Sequence, residues 1–144
     1  MLEKAYIEVR VHSRFEHFWK RASTHRRYLK CRHPHNFEIR VEMQVFEFDR
    51  EIEFHDLQDM LEKFLWSKKY TFVEASCETI AATILLQMKS WFGTAREYDI
   101  EVWEDADCGG KVKYTPGVGV EEVAKAIDEE LKKSSEEVRE CLSS

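Results

Sequence analysis

His33-Pro34-His35-Asn36-Phe37-Glu38-Ile39-Arg40-Val41-Glu42-Met43-Gln44-Val45-Phe46-Glu47-Phe48 alternates with a period of two over most of its length. Phe37, Ile39, Val41, Met43 and Val45 share one face, and Glu38, Arg40, Glu42 and Gln44 share the other. That is the pattern of a strand with one face on a core and one toward water, and it predicts a strand over Asn36–Phe48. His33 and His35 stand just before it at i and i+2, a spacing that in extended backbone projects both imidazoles to the same side. Two such imidazoles can reach one metal ion, and zinc accepts neutral imidazole well. Two ligands do not make a site, so the metal reading needs a third. Taken alone, the pair is also what two ordinary hydrogen-bonded histidines at the head of a strand look like.

Working outward, Ala5–His17 alternates well enough for another strand. Asp49-Arg50 fits a tight turn, with Glu51–Phe54 expected to return as a short strand. Asp56–Trp66 carries Leu57, Met60, Leu61, Phe64 and Leu65 on one helical stripe. Ser76 is placed to cap a second helix running to about Trp91, with Glu78 in its first turn and Gly93 ending it. Tyr98–Glu104 and Lys111–Tyr114 read as strands around a turn at Asp107–Gly110. The order strand, strand, helix, helix, strand, strand predicts an α+β fold, an antiparallel sheet with two helices gathered on one face. Thr115-Pro116-Gly117 then breaks the pattern. Residues 1–115 are expected to form one domain, and 116–144 a charged helical extension with its helix over about Val120–Glu140. There Val120, Ala124, Ile127, Leu131, Ser134, Val138 and Cys141 alternate at four- and three-residue steps. They fit either a weak coiled-coil seam or a helix packed back on its own domain.

The chain of 144 residues is long enough for one real core and short for two. With 43% hydrophobic and 35% charged residues it reads as globular, and no apolar stretch approaches a membrane span. The start, Met-Leu-Glu-Lys-Ala-Tyr, lacks the layout of a secretion signal. Cys31, Cys77, Cys108 and Cys141 show no CxxC pairing, so a reduced, cytoplasmic setting is expected. A formal charge of −6 makes nucleic acid an unfavoured partner for bulk, nonspecific contact. One local exception runs from Lys20 to Arg32, which holds six Lys or Arg and no acid. It is readable as a solvated loop, as an anion site for phosphates, or as an RNA contact with Trp19 and Tyr28 as stacking platforms.

These elements and motifs resemble the pyruvoyl-tetrahydropterin synthase family, including the carboxy-tetrahydropterin synthases, over roughly Tyr6–Tyr114. The family's His-Gly-His-Asn-Tyr is similar to His33-Pro34-His35-Asn36-Phe37, and its strand end before a helix to Ile52-Glu53-Phe54-His55-Asp56-Leu57. Its Pro-Thr-x-Glu-Asn helix start is similar to Ala75-Ser76-Cys77-Glu78-Thr79, and its late Glu-Thr followed by Tyr to Glu104-Asp105 and Tyr114. The resemblance implies a tunnelling fold assembled as a homo-oligomer, and a dihydropterin substrate with or without a triphosphate. It also implies Zn2+ held by three histidines, two of them His33 and His35. The third would lie on the first strand, where His17 has nearly the family spacing and His12 and His25 are rivals. Glu104 would anchor the pterin ring, since a carboxylate accepts two parallel hydrogen bonds from an amino group and a ring N–H. Ser76 and Glu78 would line the same substrate site, and Arg26, Arg27, Lys30 or Arg32 would receive phosphates.

The departures concern catalysis. The family's cysteine position is occupied by Leu29, leaving Cys31 as the nearest thiol, either a base or a buried small hydrophobe. No histidine lies in Ser67–Glu74, where the family's Asp-His pair is expected, and His55, the one histidine after His35, is the substitute. The first expectation is therefore a zinc-dependent pterin enzyme carrying out carbon–oxygen bond cleavage or side-chain rearrangement. A noncatalytic module that binds a pterin, a purine-like ring or a protein is the second. A nucleic-acid-associated protein is the third.

Overall fold

In the computed structural model the described residues are 3–117, 128–133, 135, 136 and 139. The strands β1 (Ala5–His17), β2 (His33–Val45), β3 (Tyr98–Glu104) and β4 (Cys108–Tyr114) form one antiparallel sheet in the order β1-β2-β3-β4. Between β2 and β3 lie α1 (Phe54–Lys68) and α2 (Cys77–Phe92). Short 3-10 segments cover Thr24–Lys30 and Thr71–Glu74. The fold is α+β, with the strand and helix order read from the sequence.

Register explains why the two faces differ. Val9, Val41, Ile100 and Val112 form one row across the four strands, with Val11, Ile39 and Val102 in the next. These side chains meet Leu57, Leu61 and Leu65 of α1 and Ile80, Ile84, Leu85 and Met88 of α2 in a single core. The opposite face carries rows such as Glu8, Glu42, Asp99, Lys113 and Arg10, Arg40, Glu101, Lys111. A one-residue slip would exchange the two sets, so burial of one face fixes the register.

Several boundaries differ from expectation. β2 begins at His33 and ends at Val45, not Asn36 and Phe48, so the histidine pair is itself part of the ladder. Phe46 and Phe48 fall on the polar side of the alternation and are exposed. The chain turns there, with the Phe46 N–H donating to the Glu51 carboxylate at 3.3 Å. Glu51–Phe54 is not a strand. Glu53 caps α1, its carboxylate accepting the His55 N–H at 3.3 Å, so Phe54 opens the helix. The last hairpin turns at Asp105–Asp107, earlier than expected, with Asp105 and Ala106 both at positive φ. Of the C-terminal helix, residues 128–133, 135, 136 and 139 are described and helical. Leu131 is buried in the domain core, which is the packed-back alternative at that residue. Val120, Ala124, Ile127, Ser134, Val138 and Cys141 of the expected seam lie outside the described residues.

Candidate metal centre

The register that pairs Ala5 with Val45 also pairs His17 with His33 and Phe15 with His35. All four point to the helix side of the sheet. His17, His33 and His35 therefore converge, their ring centroids 4.6–4.8 Å apart and each pair nearly edge-on. One nitrogen from each lies within 4.8 Å of the others. The two rivals are elsewhere. His12 sits on the opposite face, 3.9 Å from Glu38, and His25 is exposed on the 3-10 segment.

Each imidazole is held from outside the cluster. The His33 Nδ1 meets the Cys31 carbonyl at 2.7 Å, and the His35 Nδ1 meets the Asp105 carboxylate at 2.5 Å. His17 hydrogen-bonds the Ala75 backbone. The Nε2 atoms of His33 and His35 are buried and have no hydrogen-bond partner. A buried polar atom without a partner costs free energy unless something binds it. Three imidazoles, oriented through outer partners and aimed at a shared point, match the way proteins prepare histidines for a metal. The donor set fits zinc with an open coordination position, as well as other imidazole-binding divalent ions. Burial holds the His17 imidazole below the ordinary histidine value, with the other two histidines adding to that and the Glu104 carboxylate opposing it. The neutral form so favoured is the one that ligates.

Beside the cluster is a cavity of about 460 Å³. β1, β2 and the chain after β1 supply His17, His33 and Trp19; the start of α2 supplies Ser76, Cys77 and Glu78; β3 and β4 supply Glu104 and Cys108. Glu104 pairs with Phe37 across β2 and with Cys108 across β4, which puts it on the helix side. Its Oε1 lies 3.4 Å from His17 Nε2, and it accepts the Cys77 thiol. Burial, together with Glu104, pushes that thiol up to about 12, so Cys77 is a proton donor to the carboxylate. α2 approaches closely here because β4 carries Gly110. A Cβ on Gly110 would stand 2.7 Å from the Glu78 nitrogen.

The other expected site residues are placed as follows. Ser76 caps α2, accepting the Thr79 N–H at 3.2 Å, and lines the cavity with Glu78. Arg26 and Arg27 are exposed on the 3-10 segment and do not line the cavity, although Leu29 of that segment does. Cys31 is exposed and meets the cluster through its carbonyl. His55 is exposed at the start of α1 and faces Gln58, whose amide reaches the Arg10 carbonyl. The fold does not bring His55 to the cavity, because α1 begins at the far end of the sheet. Sequence reasoning passed over Cys77, Cys108 and the role of Asp105. The available signal was position, since Asp105 follows Glu104 and Cys77 follows the cap.

No protein-family model matches the chain, and no curated protein matches it in sequence. Among the described residues no helix is long and apolar enough to cross a membrane.

Proposed function

We propose that this protein is a zinc-dependent enzyme that handles a dihydropterin, akin to the pyruvoyl- and carboxy-tetrahydropterin synthases, and acts in the cytoplasm as a homo-oligomer. One observation carries the reading: three oriented imidazoles converge, two with buried unpartnered Nε2 atoms, and His17 and His33 line a cavity that also presents a carboxylate. His17, His33 and His35 would hold the metal, which when bound supplies Lewis acidity toward a substrate oxygen. Glu104 would orient the ring through paired N–H donors, displacing the Cys77 thiol from one oxygen. Glu78 and Trp19 would help enclose the ring, and the tight contact of α2 with Gly110 keeps that wall in place. Oligomer formation is supported by the open sheet, whose outer strands β1 and β4 have no further strand beside them among the described residues.

The noncatalytic binding module stays as a second reading for a specific reason. The histidines on the cavity are the metal-binding ones, His55 is remote, and Cys77 is held protonated. Metal analysis of protein purified without added metal, beside His33→Ala and His35→Ala, tests the centre. About one zinc per chain in wild type, lost in both variants, is expected. No metal in wild type and no uptake on reconstitution would overturn it. Turnover of a dihydropterin by the loaded protein then separates enzyme from module.

A further inference from the structure

A second surface is assembled on the outer side of β1, sharing no residue with the histidine cavity. It is a hollow of about 220 Å³ lined by Arg14, Glu16, Arg32, Trp66, Lys69 and Tyr70, among others. Trp66 is 69% exposed and Tyr70 67%, so neither ring serves the core. The Lys69 ammonium lies 3.6 Å from the Trp66 ring centroid and 5.0 Å from that of Tyr70. Arg32 links this hollow to the basic segment Lys20–Arg32. Its guanidinium and the Lys20 ammonium each lie 6.0 Å from the Phe18 ring centroid. In a chain of net charge −6, the exposed rings of Trp66 and Tyr70 and the cations Arg14, Arg32 and Lys69 meet at this hollow, with Glu16 the acid among them.

We propose that this face binds single-stranded nucleic acid, with bases stacked on Trp66 and Tyr70 and the backbone followed by Arg14, Arg32 and Lys69. Flat rings interleaved with cations are what a single strand requires, because every base offers a π-face and every linkage a charge. A duplex hides its base faces, so the rings favour the unpaired strand. The aromatic rings also separate this surface from a plain phosphate site, which needs only the cations. The chain's overall negative charge opposes long polyanions, so binding is confined to a few nucleotides and depends steeply on salt.

Fluorescence anisotropy of a labelled oligouridylate of about twelve nucleotides, titrated with the full chain at low salt, tests this. Binding should weaken as salt rises, with a log–log slope of about −0.7 per phosphate contacted, or roughly −2 for three contacts. Trp66→Ala should weaken it about tenfold or more, while Trp66→Phe, which keeps a ring, retains most of it. The double charge reversal Arg14→Glu with Lys69→Glu should abolish binding and leave metal content unchanged. No binding at low salt overturns the proposal. So does equal competition by heparin or duplex DNA with no effect of Trp66→Ala, which would mean polyanion attraction alone. A sedimentation coefficient that falls in Trp66→Ala without change in oligonucleotide affinity also overturns it, assigning the face to a second copy of the chain. Metal content is read separately, so failure here leaves the histidine centre standing.

Discussion

Asp105 performs two tasks with one carboxylate. One oxygen accepts the Asn36 backbone N–H at 3.0 Å and the other holds His35 Nδ1. The Asn36 N–H, then the His35 contact, hold this carboxyl below its ordinary value, so it is ionised throughout the neutral range. It thereby fixes the His35 ring and leaves Nε2 aimed at the cluster. Asp105→Asn keeps the shape and removes the charge. It should lower metal affinity by about 10- to 100-fold, as read by competition with a chromophoric chelator, with little change in fold. Unchanged affinity would show that His35 needs no such support. The histidine pair was plain in the sequence, and its outer partner was not, because that contact spans sixty-nine or seventy positions.

The β3–β4 hairpin shows how an element sets the site. The Asp107 N–H donates to the Glu104 carbonyl at 2.9 Å, and both residues between them, Asp105 and Ala106, have positive φ. Asp tolerates that region, whereas the Ala106 Cβ is crowded there. Ala106→Gly should therefore stabilise the protein by about 1 kcal/mol, seen as a higher denaturant midpoint with the same slope. A loss of stability would mean that the added freedom of the unfolded chain outweighs the relieved crowding. The strained turn sits beside Glu104 and carries Asp105, so the hairpin delivers Glu104 to the cavity and Asp105 to the back of the His35 ring. The sequence reading put the turn two residues late because Gly109-Gly110 is the stronger turn signal. The fold uses Gly110 for close packing against α2.

For the whole molecule, alkaline pH is the informative variable. Burial pushes the Tyr98 hydroxyl up to about 12; it donates to the Gly93 carbonyl at 2.6 Å. Burial pushes the Cys77 thiol up to about 12 as well. Between each ordinary value and the raised one, the folded chain keeps a proton that the unfolded chain has released. Stability is therefore fully present below about pH 9 and falls as pH rises toward 12, by on the order of 2 kcal/mol for Tyr98 alone. Denaturant titrations at pH 8 and pH 11 check this, and Tyr98→Phe should flatten the tyrosine share; a pH-independent midpoint would contradict it. Alternation and helical periodicity, which are local properties, determined the strands, the two helices and the α+β class. The histidine pair was local too, since i and i+2 in a strand share a face. Tertiary structure alone decided which of three histidines completes the group, because register is set by burial of the whole face. It also decided that His55 lies far from the cavity, that Cys77 bonds Glu104, and that Trp66 joins Arg14 and Arg32. Each of these is a meeting of elements distant in sequence, brought about by closing one core over one face of the sheet.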